Sequence, residues 1–402
     1  MNAVSLDVRR RNERVMALVV FVVFAGFAAV VPFLSLYVRE LGVTDDREAA
    51  FWGGLLISVA TLVAGLMAPV WGRLADRYGY KIMAQRVLVS YCLFLALSAA
   101  VTSVTQLLLL RVAVGLFGGI GPLAVIMASA TASRGEAGRA IGLMQAAQIL
   151  AAAAGPALGG VLAYTIGMRW TFVATAMLCG LALLLLGSYD ESARPAPAAH
   201  DAGAGPSSLP WTRLAALMAL LFLVNFVGRS FTPVLPLQIE RAGISPARSQ
   251  LATGLLMSAY SIAAAVSAAG LGRLARGRSA RGLMVGSLGL AALLLAPIGW
   301  VSSFPALLIL AGALGLAFGG SLTLGYTIGD TIVPEGRRGA TFGYLTGAAL
   351  FGGSVSPLIA GWLARVWELT GIYFVDAAVC VVLALAVAAH GWSPRRVAPK
   401  TG

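Results

Sequence analysis

The sequence is short of charge. Charged side chains make up 11% of its 402 residues, with 16 acidic groups against 29 lysines and arginines. Soluble domains carry about 25% charge, so an ordinary water-facing surface is excluded. Histidine is almost absent, with only His200 and His390, which leaves no cluster of the kind that membrane oxidases and desaturases use to hold metal. The three cysteines, Cys92, Cys179 and Cys380, lie in separate apolar runs without a CxxC spacing, so they read as small buried residues. No GxxxxGK[ST] loop is present, which argues against ATP drive. Neither an enzyme nor a cofactor or metal site is expected.

What the chain has in plenty is hydrocarbon. Hydrophobic residues reach 59% and the mean hydropathy is +0.87, so lipid must be the solvent for most of the chain. The net charge of +13 does not point to nucleic acid, because the basic residues sit in short clusters between long apolar runs. A stretch near 15–37 follows Arg9-Arg10-Arg11. It is too long for a signal-peptide core and reads as a first membrane span. Further spans are expected near 51–71, 83–103, 105–128, 140–163, 170–188, 213–237, 250–271, 283–301, 305–328, 340–364 and 371–391. With both termini on one side, that side collects 21 of the basic residues and the other 6, while Arg111 and Arg229 fall within spans. This bias places both termini in the cytoplasm.

The one long polar break, 189–212, is rich in Ala, Pro, Gly and Ser and reads as a flexible linker. It divides the chain into 1–188 and 213–402, each with six spans. The halves repeat each other. Gly54-Leu55-Leu56 and Ser58 recur as Gly254-Leu255-Leu256 and Ser258, and Gly72-Arg73-Leu74-Ala75 recurs as Gly272-Arg273-Leu274-Ala275. Pro32, Gly42, Gly142 and Pro156 recur as Pro233, Gly243, Gly343 and Pro357. An even number of spans per half makes the repeat parallel. The expected fold is therefore an all-α membrane protein of twelve transmembrane helices in two pseudo-symmetric six-helix bundles. That arrangement belongs to transporters that rock two bundles about a central site. A small-residue stripe, Ala147, Ala151, Gly155 and Gly159, recurs as Ala348, Gly352, Ser356 and Ala360. It favours close helix contact and is expected to slide during transport.

The loop after the second span reads Gly72-Arg-Leu-Ala-Asp76-Arg77-Tyr-Gly79-Tyr-Lys81. It resembles the signature loop of the major facilitator superfamily, in the position where that family carries it. Gly72 and Gly79 would permit a tight turn, and Arg77 and Lys81 would meet lipid phosphates. The resemblance implies that Asp76 faces the start of span 11, near Gly339 and Ala340, and latches the bundles on the cytoplasmic side. The repeat copy has Arg276 there and lacks the acidic latch. Arg111 and Gly115 resemble the family's RxxxG motif in span 4. A membrane arginine is a functional candidate by default, and one that keeps its proton would tune a neighbouring group. Gly155-Pro156-Ala-Leu-Gly159-Gly160 resembles the GPxxGG core of proton-driven antiporters, with Ala151 where the family has an earlier glycine. VVPFLSLYVRELG at 30–42 is similar to multidrug exporters of the drug:proton antiporter (12-span) family.

The resemblance implies proton-coupled efflux of small amphipathic compounds by a monomer in a bacterial plasma or inner membrane, with membrane lipids and no nucleic acid as partners. Candidate cavity residues are Phe27, Gln145, Gln148, Asn225, Arg229 and Tyr326. A fixed charge at Arg229 would favour acidic substrates. Spans 1, 4 and 5 contain no carboxylate, and Asp376 is the one acid well inside a span, so proton coupling falls to Asp76 or Asp376 if either carries it. The alternatives are an uptake symporter or facilitator of the same superfamily, against which the GPxxGG core speaks, and a non-transporting membrane sensor, for which no soluble domain is read in these residues.

Overall fold

The computed structural model describes residues 6–121, 123, 124, 127, 137–190, 211–275, 277–332 and 338–389. Regular structure among them is helical throughout. The first half contains α1 (Leu6–Val30), α2 (Leu34–Glu40), α3 (Asp46–Tyr78), α4 (Tyr80–Ala99), α5 (Val104–Leu116), α6 (Ala137–Ile166) and α7 (Met168–Gly187). The second contains α8 (Trp211–Ser230), α9 (Leu235–Arg241), α10 (Pro246–Leu274), α11 (Ala280–Ile298), α12 (Phe304–Phe318), α13 (Ser321–Ile332), α14 (Arg338–Val366) and α15 (Gly371–Ala389). Eleven of the described spans are long and apolar enough to cross a membrane, and Val104–Leu116 is a shorter apolar helix. Arg134, Arg194, Arg276, Arg337, most of the linker and both histidines lie outside the described residues.

Several helices differ from their expected spans for local reasons. Span 1 is broken by a 3-10 turn at Val31–Phe33 that contains Pro32, and span 7 is broken at 231–234, around Pro233. Proline supplies no N–H and displaces the preceding turn, so the repeat has put the same interruption in both halves. Beyond each break a short helix ends at a glycine with positive φ, Gly42 at 102° and Gly243 at 86°. Span 4, expected unbroken over 105–128, stops at Leu116 before Gly118 and Gly119, the latter with φ 115°. Span 10 is interrupted at Gly319 and Gly320. Helix starts are capped as the side chains dictate. The Asp45 carboxylate accepts from the Glu48 amide at 2.9 Å, and the Ser103 and Ser279 hydroxyls accept from Gln106 and Gly282, each at 3.3 Å.

The helix pairs reproduce one another. In the first bundle α1 packs on α6 and α7, α3 on α5, and α4 on α7. The matching pairs in the second are α8 on α14 and α15, α10 on α12, and α11 on α15. Between bundles, α3 lies along α14 and α6 along α10. The linker end of the molecule carries the α3–α4 turn and the ends of α7 and α15; the opposite end is called the far end below. Large apolar side chains stay on the outside, among them Leu66, Leu184, Leu293 and Ile309, as a lipid-facing surface requires. Trp170, Trp300, Trp362 and Trp367 are exposed near the far end, in the manner of an interfacial aromatic belt.

Two expectations about the signature loop change. Gly72 lies inside α3, and the turn is made by Gly79 alone, with φ 98°. Lys81 does not project freely toward lipid. Its Nζ donates to the Gly187 carbonyl at 3.1 Å and the Tyr189 carbonyl at 2.6 Å, at the end of α7. Arg281, its repeat counterpart, donates through Nε to Val387 at 2.9 Å and through Nη2 to Ala388, at the end of α15. In each half a cation from the third span satisfies carbonyls left open at the end of the sixth.

Arg281→Ala leaves those carbonyls without their donor. Because part of the guanidinium is exposed and screened by solvent, the expected cost is about 1 kcal/mol, less than a buried charged donor contributes. A lower Tm in detergent, largely recovered by Arg281→Lys, is the expected result.

Candidate functional site

The surface between the bundles is closed at the far end and open at the linker end, and glycine records the change along each helix. A methyl group added at Gly54 on α3 would collide with the Pro357 carbonyl of α14, and one at Gly361 would lie 2.6 Å from the Ala50 carbonyl. In the matching pair, a methyl at Gly254 on α10 would collide with the Pro156 carbonyl of α6, and one at Gly160 would lie 2.6 Å from the Gln250 carbonyl. Toward the linker end, methyl groups at Gly65, Gly142 and Gly347 would meet nothing within 4 Å. The bundles touch backbone to backbone in one half and part in the other.

Hydroxyl groups finish the closed half. Leu358 donates its amide to Ser58 Oγ at 2.9 Å, and Ala157 donates its amide to Ser258 Oγ at 3.0 Å. Ser35 donates to the Pro233 carbonyl at 2.6 Å, joining the two broken spans. Above these, charges seal the far end. Arg39 pairs with Glu240 and stands 3.9 Å from Asp46; Arg241 reaches Asp46 at 3.6 Å; Arg365 meets Glu48 at 2.9 Å. Sequence reasoning counted these residues only as loop charges. The signal was present, since Arg39 and Glu240 occupy the same repeat position.

The expected sliding stripe faces the wrong way. A methyl on Gly155 would lie 2.5 Å from Ala28 Cβ and one on Gly159 would strike the Ala29 carbonyl, both on α1 of the same bundle. Likewise Gly352 abuts the Phe222 carbonyl, and Ser356 donates to Phe226 at 2.6 Å, both on α8. The face turned to the other bundle is offset by one residue, at Pro156 and Gly160 and at Pro357 and Gly361. A shift of one residue turns a helix by about 100°, enough to separate an internal face from an interbundle one.

The other candidates divide between cavity and interior. Asn225 and Arg229 both flank Gly353, at 2.9 Å and 3.4 Å from where its Cβ would be. Gly353 is one turn before Pro357, at the edge of the interbundle face nearest α8. Asn225 also donates to the Ala349 carbonyl at 2.6 Å. Arg229 is exposed although it stands deep in span 7, which places it on the floor of the open half. Gln145 is exposed, three turns from Pro156 on the same face of α6, and Gln148 stands at the edge of that face. Phe27 is instead engaged with Tyr91, ring centres 4.7 Å apart, and Tyr326 stacks on Phe342 at 6.2 Å.

Two buried charges stand out. Arg111 is 2% exposed, its guanidinium lies 5.6 Å from the Phe172 ring centre, and its Nε and Nη2 have no hydrogen-bond partner among the described residues. Its companion Gly115 lets α5 close on α3, since a methyl there would come within 2.6 Å of the Ala60 carbonyl. Asp376 is 0% exposed. One of its oxygens accepts from the Ser230 hydroxyl and the other has no partner among the described residues. In the signature loop, Asp76 is exposed and accepts from Tyr80 Oη at 2.5 Å, and Arg77 is exposed. The side chain of Ala340 lies outside the described residues. A small apolar cavity of about 20 Å³ within the second bundle, beside Phe231, Tyr260 and Tyr373, has room for about one water and is too small for a substrate path.

Similarities to known proteins match this geometry. The model of the Major Facilitator Superfamily matches residues 16–278 and 217–402. The multidrug resistance protein MdtG of Enterobacter lignolyticus is 30% identical over 376 residues, covering 92% of this chain and 90% of the relative. MdtG of Proteus mirabilis is 29% identical over 363 residues, covering 89% and 90%. Among solved structures, an inward-facing, occupied bacterial homologue of the human lysosomal transporter Spinster aligns with a TM-score of 0.74 at 16% identity, covering 96% of each chain. A D-xylose–proton symporter aligns at 0.71 and 15% identity, covering 93% of this chain and 96% of that one. At these identities the structures speak to fold alone.

Gly54→Leu forces a side chain into the Pro357 backbone and is expected to part the far end. A Ser35→Cys reporter, buried there at 1% exposure, should then react about tenfold faster with an aqueous thiol reagent, as an open-state population shift of about 1.4 kcal/mol requires. Unchanged reactivity would contradict the steric argument.

Proposed function

The chain belongs to the Major Facilitator Superfamily, and from that premise we propose that it is a secondary transporter that exports drug-like small molecules in exchange for protons. The observation that carries the mechanism is the one-sided closure: two repeated bundles sealed at the far end and separated at the linker end. Such a carrier needs no reaction of its own, and one chain already holds both walls of the path, so a monomer suffices. The MdtG relatives, similar over about nine-tenths of the chain, support multidrug efflux as the activity.

The excess of basic residues at the linker end supports both termini in the cytoplasm of a bacterial plasma or inner membrane. The far end is then external and the described state opens inward. Arg77 at that cytoplasmic end is suited to lipid phosphates. Asp76 lies 18 residues from Ser58, five turns along the same face of α3. Gly339 lies 18 residues from Pro357 on α14 and shares its face in the same way. The two faces that meet at the far end thus carry Asp76 and the α14 N-terminus at the linker end. A carboxylate is favoured beside a helix N-terminus, so closing the cytoplasmic side would bring the latch together.

Arg229 offers a fixed positive charge to substrate at the cavity floor, with Gln145 opposite on α6. The proton falls to Asp376. It is buried in hydrocarbon, its partner Ser230 immediately precedes the break at 231–234, and a carboxylate without a counter-charge there is costly. Rocking that bends the break would change its surroundings. Arg111, the buried cation of the other bundle, acts by its field on neighbouring groups.

In a host without its own drug exporters, overproduction of the chain should raise the inhibitory concentration of several structurally unrelated amphipathic drugs. Sensitisation to them would reverse the direction of transport. In proteoliposomes, Asp376→Asn should lower pH-gradient-driven efflux by about tenfold or more, within the usual range of coupling energies, while drug binding in detergent stays intact. Efflux that still follows the pH gradient would remove Asp376 from the proton path.

A further inference from the structure

Four residues at the interbundle surface form two copies of one device. Proline at 156 and 357 supplies no N–H and loosens the ladder around it. In hydrocarbon the groups so disturbed must find partners, and hydroxyls from neighbouring helices are suited to the task. The amide directly after each proline, at Ala157 and Leu358, donates to a serine on the opposite bundle, Ser258 at 3.0 Å and Ser58 at 2.9 Å. Ser58 is wholly buried and Ser258 nearly so.

Their depth is informative. Ser58 is 12 residues from the start of α3, about 18 Å along the axis, and Leu358 is 8 residues, about 12 Å, from the end of α14. A bilayer core is about 30 Å thick, so the bonds lie close to its middle. They are also the innermost of the interbundle bonds described above. Nearer the far end come the glycine–carbonyl contacts and then the ion pairs; nearer the linker end, Gly65 and Gly347 are open. The bonds therefore stand where the two halves begin to diverge, one on each side of the path, related by the repeat.

We propose that Ser58 and Ser258 are the paired pivots of the transport cycle: positioning residues whose bonds to the Leu358 and Ala157 amides persist while the ends on either side open and close. Breaking them during the swing would strand two amides in a dry interface, whereas the far-end ion pairs separate into water at little cost. The inference rests on the alternating-access reading and adds where the bundles turn.

Hydrogen exchange tests the bonds without any transport assay. Ser58→Ala should speed exchange at the Leu358 amide about fivefold, the net worth of one neutral hydrogen bond, and leave Ala157 unchanged; Ser258→Ala should do the reverse. These results stand or fall even if the wild-type moves no drug, which would sink the efflux reading alone. For the pivot itself, spin-label distances report the far and linker ends. Each Ser→Ala variant should lower drug flux about fivefold with both end-to-end distance distributions unchanged. Pro357→Ala, which returns a continuous ladder to α14, should soften the Ser58→Ala defect, and Pro156→Ala should not. If Ser58→Ala instead shifts the far-end distances to the open form, the bond is a gate and the pivot is wrong. Normal flux in the double serine variant, or relief by either proline change alike, would overturn it as well.

Discussion

Everything in the molecule depends on two helix crossings at which backbone touches backbone. Hydrophobic attraction does little between helices already dissolved in lipid, so contact there must come from close packing and hydrogen bonds. Gly54 and Gly254 supply the missing volume, and the carbonyls of Pro357 and Pro156 fill it. A single methyl group at either glycine is sterically excluded, which ties the closed state to these residues more tightly than to any apolar side chain. Beyond the two serine bonds the interface is small in its chemistry, built of glycine and carbonyl groups, and so can part without exposing a large sticky surface to the cavity.

Duplication explains the form of the crossings, and divergence explains the seal above them. Arg39 and Glu240 stand at the same place in the two repeats and meet each other between the bundles. A residue near the pseudo-twofold axis faces its own copy. Identical charges would repel, so a pair can form only after one copy has changed sign. Lys81 and Arg281 show the opposite case. They never meet, each caps its own bundle, and the charge is retained.

Apart from Glu13 near the start of α1, the buried charges are distributed unequally. The first bundle holds Arg111 against an aromatic ring, and the second holds Asp376 against a hydroxyl. Arg86 adds a third case, its guanidinium 3.5 Å from the Trp71 ring centre and its nitrogens without hydrogen-bond partners among the described residues. Aromatic faces offset part of the cost of a dry cation, but an unpaired acid has no such recourse. That difference is why a proton site is sought in the second bundle and field effects in the first.

Hydrophobic run lengths, the Ala/Pro/Gly/Ser linker, the basic bias and the repeated Gly–Pro–Ser positions were enough to determine an all-helical, twelve-span, two-bundle membrane protein, because lipid leaves the backbone few alternatives. The breaks at Pro32 and Pro233 and the role of Ser58 were within reach of the same repeat, since the matching residues had already been aligned. Tertiary structure alone decided which face of each helix meets which partner. The stripe through Gly155 and Gly159 looked like an interbundle surface and is an internal one, because a turn of about 100° per residue separates two faces that composition cannot tell apart. It also decided that Lys81 caps α7, that Phe27 is engaged with Tyr91 while Arg229 is open to the cavity, and that loop charges form the far-end seal. Such pairings join residues as far apart as 300 positions in the chain, and only the packed bundles bring them within bonding distance.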